Sequence, residues 1–158
     1  MGLDVFFKVG EITGESTDAD HKGEIEVLSW SWGMSHAGSI AAGGGGGAGK
    51  TTFTDLSFTH TIDRASPLLM KACATGQHIK DATLVARKAG RGQREYLVIK
   101  LSDVIITGVQ AAGAGEQPTE TVSMHFARVD FEYRPQRADG SADTGVRFAY
   151  DIKNNREA

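Results

Sequence analysis

A mainly β fold with one helix is what this sequence predicts, and three observations predict it. Apolar and polar residues alternate with period two along most of the chain, the mark of half-buried strands. One segment, opening at Ser66-Pro67 and closing at Gly76, carries helix signals instead. Polar or glycine-rich runs separate the alternating stretches, as connections between antiparallel strands do. One helix among about seven or eight strands predicts a β-barrel or sandwich with the helix plugging one side. No internal repeat or composition break divides the 158 residues, so a single domain is expected.

In chain order, Leu3, Val5, Phe7 and Val9 alternate with Asp4, Phe6, Lys8 and Gly10 as a first strand, and a polar turn follows over Thr13–Lys22. The next stretch sets Ile25 and Val27 on one face, then moves its apolar set to Leu28, Trp30, Trp32 and Met34, which predicts a bulge or a change of cover along the strand. Residues 36–50 form a long loop holding the run Gly43–Gly47. Alternation resumes at Phe53 with Leu56, Phe58, His60 and Ile62 against Ser57, Thr59 and Thr61. Ser66 is expected as helix N-cap with Pro67 at the first helical position. Leu68, Leu69, Met70, Ala72 and Cys73 carry the helix through about three turns to Gly76. Later strands read as Ala82–Ala89, Arg94–Leu101, Val104–Gln110, Thr119–Tyr133 and Val146–Ile152, with a hairpin connection at residues 89–93. The strand Thr119–Tyr133 also changes face, from Val122, Met124 and Phe126 to Val129, Phe131 and Tyr133.

Composition removes several function classes. The 17 Lys and Arg are dispersed among 20 Asp and Glu, so no basic stripe awaits a nucleic acid. No apolar run approaches the ~20 residues of a membrane helix, so no membrane insertion is expected. One cysteine, Cys73, excludes an intramolecular disulfide and fits a reducing compartment. The opening Met1–Phe6 lacks the basic region of a secretory leader, which predicts synthesis and folding in the cytoplasm and any export by another route.

Four short motifs imitate catalytic or binding chemistry. Gly44–Thr51 matches the phosphate-loop pattern with Lys50 and Thr51 in the phosphate and magnesium positions. A working loop leaves into a helix whose N–H groups converge on phosphate, whereas Thr51–Phe58 is β-rich. Gly33-Met34-Ser35-His36-Ala37 approaches a nucleophile elbow but runs into the glycine loop. Asp143-Thr144-Gly145 is the triplet of aspartic proteases, present once and in a polar run. Asp18-Ala19-Asp20 begins like a calcium loop, but Lys22 and Ser29 stand where oxygen ligands belong. The five histidines lack zinc spacing, and His60 and His125 fit packing or surface roles. No catalytic residue, metal site or cofactor is expected.

The residues outside those motifs carry a family likeness. The run Val27-Leu28-Ser29-Trp30-Ser31-Trp32-Gly33-Met34-Ser35, the pair Phe53–Thr59 and Asp63–Pro67, then Arg87–Gly90, Glu95-Tyr96-Leu97, Leu101–Val104 and Phe131–Pro135 occur in family order. With the opening Asp4, Phe6-Phe7-Lys8 and Gly14-Glu15-Ser16, the whole chain resembles the haemolysin-coregulated proteins (Hcp), tube subunits of the bacterial type VI secretion system. The resemblance implies two packed β-sheets forming a barrel with a flanking helix, and homohexameric rings that stack into a tube driven by a contractile sheath. It implies a valine-glycine repeat spike protein at the tip, small effector proteins carried in the lumen, and secretion through the apparatus.

Strand alternation adds a residue-level expectation to that likeness. If Trp30 and Trp32 face the core, Ser29 and Ser31 lie on the opposite face, as small polar groups suited to a channel wall, and Ser31 is expected to face the lumen. The loop 36–50 is similar to the family's extended loop reaching a neighbouring ring, which assigns Ser39, Gly43, Gly44, Gly45, Gly46, Gly47 and Lys50 to ring stacking. The alternatives are a phage-type tail-tube protein, a nucleotide binder using Lys50 and Thr51, and a monomeric β-barrel ligand carrier.

Overall fold

The computed structural model describes residues 3–38, 50–88 and 94–158. It is mostly β with one helix, as the alternation predicts. The strands are β1 (Leu3–Val9), β2 (Ile25–Glu26), β3 (Ser29–Ser31), β4 (Met34–His36), β5 (Thr51–Phe53) and β6 (Leu56–Thr61); the helix α1 (Ser66–Thr75) follows. Then come β7 (His78–Lys88), β8 (Glu95–Ala112), β9 (Thr119–Tyr133), β10 (Val146–Asp151) and β11 (Arg156–Glu157). Nine strands make one sheet in the order β11-β10-β9-β8-β7-β1-β2, with β6 pairing both β9 and β3, while β4 and β5 form a separate two-stranded sheet.

The large sheet curls because segment 25–31 changes partners. Phe7 pairs with Ile25 on β2, and four residues later Ser29, Trp30 and Ser31 pair with Thr59, Phe58 and Ser57 on β6. The bonds Val27 N–H to Val5 O (2.9 Å) and Leu28 N–H to Thr59 O (2.8 Å) carry the chain across from β1 to β6. This crossing explains the expected change of face and corrects its detail. Ile25 and Val27 are buried and Trp30 and Trp32 pack partly against the core, but Leu28 is 64% exposed and Met34 44% exposed. Partner changes at residues 28 and 33 break the alternation that the sequence pattern extends through Met34.

The two strands expected over Arg94–Leu101 and Val104–Gln110 are one strand, β8. Asp103 takes a left-handed backbone (φ 53°), so Leu101 and Val104 both turn inward across a three-residue step. Ala127 lies at the matching point of β9, between the register pairs Ser102–Arg128 and Val104–Phe126, and the predicted face change of β9 occurs there. Similarly, β7 begins at His78, earlier than the expected Ala82. The expected hairpin at 89–93 lies outside the described residues, flanked by the antiparallel pair Arg87 and Glu95.

Helix α1 lies against β8 through buried Leu69 and Ala72. Its start differs from the expected Ser66 cap. The cap position is Ala65, whose N–H donates to Asp63 Oδ1 (2.8 Å), while the Asp63 N–H donates to Ser66 Oγ (3.1 Å) and the Ser66 N–H returns to Asp63 O (3.1 Å). Pro67 stands in the first turn, and Gly76 (φ 65°) ends the helix by donating to Ala72 O and Cys73 O, as expected. Phe7, Ile25, Leu56, Phe58, Leu69, Leu84, Ile99, Leu101, Ile106, Met124 and Phe126 fill the interior.

Candidate functional site

The outward face of β3, β6 and β9 is built from hydroxyl groups, and the end of β8 extends it with the uncharged Gly108, Gln110 and Ala112. Inward positions alternate along each strand: Trp30 on β3, Leu56, Phe58 and His60 on β6, and Glu120, Val122 and Met124 on β9. The intervening residues therefore point outward together. Register aligns them into rows. Ser31 lies beside Ser57, which pairs with Ser123 and then Gly108. Ser29 lies beside Thr59, then Thr121 and Gln110, and Thr61 beside Thr119 and Ala112. The Ser57 and Ser123 hydroxyls bond at 2.9 Å and those of Thr59 and Thr121 at 3.1 Å. None of these residues is charged. Lateral pairing leaves each hydroxyl with spare donor or acceptor capacity toward solvent or a partner.

Beneath this face sits a buried histidine–carboxyl pair. His60 Nε2 is 2.8 Å from Glu120 Oε1, both side chains are wholly buried, and His60 Nδ1 is 3.8 Å from Asp63 Oδ1. Burial pushes the Asp63 carboxyl above its ordinary range; the Ala65 N–H and His60 oppose this, and Glu15 and Glu120 reinforce it. Because His60 and Glu120 stand between the pairs Thr59–Thr121 and Thr61–Thr119, they fix the register of the hydroxyl rows from behind.

At one end of the face, Asp55 accepts a hydrogen bond from Thr107 Oγ1 (2.6 Å) and lies 3.1 Å from His125 Nδ1. A shallow concavity of about 680 Å³ opens there between Ser31, Ser57, Asp55 and the β4–β5 pair. The four-stranded face also ends in two open edges. Among the described residues β3 pairs only with β6, and β8 beyond Ile105 pairs only with β9.

Ser29 and Ser31 are therefore on one exposed face opposite Trp30, where alternation puts them. Lys50 is exposed, with its carbonyl accepting the Ala37 N–H. Ser39 and Gly43–Gly47 lie outside the described residues. Thr51, which follows the phosphate-loop lysine, opens a strand. Without a helix N-terminus there, the resemblance to a phosphate loop stops at the letters. Asp143-Thr144-Gly145 lies in a polar loop where Asp143 accepts the Thr144 N–H and faces Arg137. Asp18 and Asp20 turn out to face the buried Arg87 guanidinium, which also bonds Asp4 and lies over the Phe6 ring at 4.9 Å. Among the described residues, no group of three His, Cys, Asp or Glu is arranged to hold a metal ion.

Sequence reasoning missed Ser57, Thr59, Thr121 and Ser123 as members of the Ser29–Ser31 face. Alternation in each strand carried the signal, but the register joining strands 60 residues apart did not appear in it.

Comparison with known proteins follows the same outline. Residues 6–133 match the model of the family described as "Type VI secretion system effector, Hcp". Protein hcp1 of Pseudomonas aeruginosa is 48% identical over 162 residues, with the full length of both chains covered. Hcp1 of Salmonella typhimurium has a solved structure similar at a TM-score of 0.82, 42% identity and full coverage of both chains. A structure of a type six secretion system protein reaches a TM-score of 0.91 at 27% identity, covering 99% of this chain and 100% of that one.

Proposed function

Because the chain belongs to the Hcp family of the type VI secretion system, we propose that it is a structural subunit whose copies close into rings of six and stack as the inner tube. In this reading the hydroxyl face lines the channel, with Ser29 and Ser31 toward the lumen, and small effector proteins travel against it. A spike of the valine-glycine repeat family and the contractile sheath are its further partners, and the subunit is itself secreted through the apparatus.

The observation that carries the reading is the hydroxyl face with an open edge on either side. Two different edges, β3 and the end of β8, support heterologous contacts, and a heterologous contact repeated by rotation closes a ring. Joining the edges brings the faces of successive copies into one inner wall and removes the exposed edges, which are otherwise liable to pair with any strand. The wall chemistry suits passage. Hydroxyl groups stay wet and exchange hydrogen bonds with cargo at little net cost, since water replaces whatever a departing cargo gives up. The face carries no large apolar anchor of the kind that makes contacts tight.

Native mass measurement with negative-stain imaging at micromolar concentration tests this directly. Rings of six with an open centre are expected. A compact monomer at every concentration refutes the reading.

A further inference from the structure

The sheet formed by β4 and β5 is very short. It holds three register pairs, Met34–Phe53, Ser35–Thr52 and His36–Thr51, and ends with the Ala37 N–H donating to Lys50 O at 3.4 Å. A two-stranded ribbon of this size is marginal in water by itself, so its order needs an outside support. Two supports meet at its base.

The first is polar. Thr54 Oγ1 accepts the Gly33 N–H (2.9 Å) and donates to Gly33 O (3.1 Å), while the Thr54 N–H also donates to Gly33 O (2.9 Å). One threonine thus clamps both polar groups of the residue that leads into β4. The second is aromatic. The Phe53 ring lies 5.1 Å from Tyr150 and 6.2 Å from Trp32. Trp32 in turn lies 6.1 Å from Phe131 and 6.3 Å from Phe126, and Tyr150 lies 6.0 Å from Phe148. Phe53 therefore anchors the ribbon to β9 through Trp32 and to β10 through Tyr150. Met34, Ser35, His36 and Ala37 beyond this base are all exposed.

We propose that Phe53 and Thr54 are positioning residues, which hold the β4–β5 ribbon as a rigid stem aimed at a second copy of this chain in the adjoining ring. This inference rests on the reading of residues 36–50 as the ring-stacking contact. A stem fixed at its base lets a glycine-rich connection act at a defined place, since the ordering cost of the stem is met before the partner arrives. Thr54 fixes where the ribbon begins, and Phe53 fixes the direction in which it leaves the barrel.

The test compares Phe53→Ala, Thr54→Val and Phe53→Tyr in the full-length chain with a variant lacking residues 39–49. Hydrogen exchange is read at the stem amides and in β7–β9, ring mass by native mass spectrometry, and ring-on-ring association by sedimentation equilibrium. Phe53→Ala should speed exchange at stem amides about tenfold, leave β7–β9 unchanged, and weaken association while rings persist. Phe53→Tyr keeps the ring stack and should restore both readouts, and Thr54→Val should loosen the stem in the same direction. Unchanged stem exchange in both Phe53→Ala and Thr54→Val overturns the inference. So does a loosened stem with wild-type association when the 39–49 deletion does weaken association. If the deletion itself leaves association unchanged, the stacking reading of 36–50 fails, and the positioning role goes with it. Should Phe53→Ala lose the rings, Thr54→Val, which removes one hydroxyl, decides the matter by the same two readouts.

Discussion

Replacing His60 by leucine should destabilise the fold far more than replacing His60 and Glu120 together. Both side chains are wholly buried, and they meet through the 2.8 Å bond between Nε2 and Oε1, with Asp63 Oδ1 3.8 Å from the other ring nitrogen. His60 Nδ1 and Glu120 Oε2 have no hydrogen-bond partner, so the pair is only half satisfied. Removing one member leaves the other buried without its partner, which costs about 3–5 kcal/mol. Removing both in favour of apolar residues of similar volume takes away the two half-satisfied polar groups together, and such exchanges run from neutral to stabilising by about 1–4 kcal/mol. His60→Leu and Glu120→Met are each expected to lose roughly 3 kcal/mol, and the double variant to stay within about 1 kcal/mol of the parent. Urea unfolding followed by far-ultraviolet dichroism measures all four proteins. One protein concentration is used throughout, because association stabilises the native state. Single losses that add in the double variant to within about 0.5 kcal/mol refute the coupling, and with it the view that this pair sets the register of the hydroxyl rows.

Further outcomes follow from other features of the fold. The Arg87 guanidinium, through its hydrogen bond to Asp18, holds that carboxyl below its ordinary range. This contribution is full above the unfolded carboxylate value of about 3.9 and disappears as pH falls through Asp18's lowered value. The stability gap between the parent and Arg87→Met should accordingly narrow in acid, which a pH series of urea melts checks. Asp63 has the opposite sign: its raised value favours the fold in acid and withdraws that support as pH rises. Asp63→Asn keeps an acceptor for the Ala65 N–H without the charge, so at pH 7 its melting temperature should equal or exceed the parent's. A Cβ on Gly14 would meet Glu24 O at 2.6 Å and Ile25 Cα at 2.9 Å, both backbone, so Gly14→Ala should cost about 1–3 kcal/mol in a urea melt. Ser31→Trp and Ser57→Trp should leave native ring mass unchanged, because both side chains point away from the barrel core; loss of the rings in both refutes the channel-facing assignment.

Much of this architecture was legible locally and little of it at long range. The placement of Ser29 and Ser31 followed from Trp30 turning inward, a relation one residue wide. The same reasoning failed for Leu28 and Met34, since segment 25–36 divides its pairing among β1, β6 and β5, and each change of partner resets the alternation. Asp103 gave no warning either. An aspartate tolerates the left-handed region without announcing it, and the sequence read as a break between two strands where the chain makes one. Arg87 reads as a surface residue by type, yet it is 2% exposed because three carboxylates and the Phe6 face surround it. Of the candidate face, the alternating halves were visible in Ser57–Thr61 and Thr119–Ser123, but their alignment depends on buried neighbours, Phe58 with Val122 and His60 with Glu120.

The neutrality of that face is a local property, and it needs a local cause. Charged residues make up 23% of the chain, so the eleven outward positions from Ser29 to Ser123 in the three rows would hold about two or three by chance, and exposed sites more. They hold none. Farther along the same two strands the balance reverses. Lys100 pairs with Asp130 across β8 and β9, Arg147 reaches Asp130 from β10 through two guanidinium nitrogens, and Glu132 bonds Arg134. The neutral rows end at the Asp55–His125 pair, and charge dominates beyond Asp103 and Ala127, where the inward-facing set of both strands changes. Solubility alone asks for no such division, since mixed charges serve it at either end. A surface that repeats around a ring is different, because each charge recurs in every copy and like charges then face one another across the opening. Hydroxyl groups repeat without that penalty, so in the proposed ring one pair of strands would serve a neutral wall on one side of Asp103 and Ala127 and a charged surface on the other.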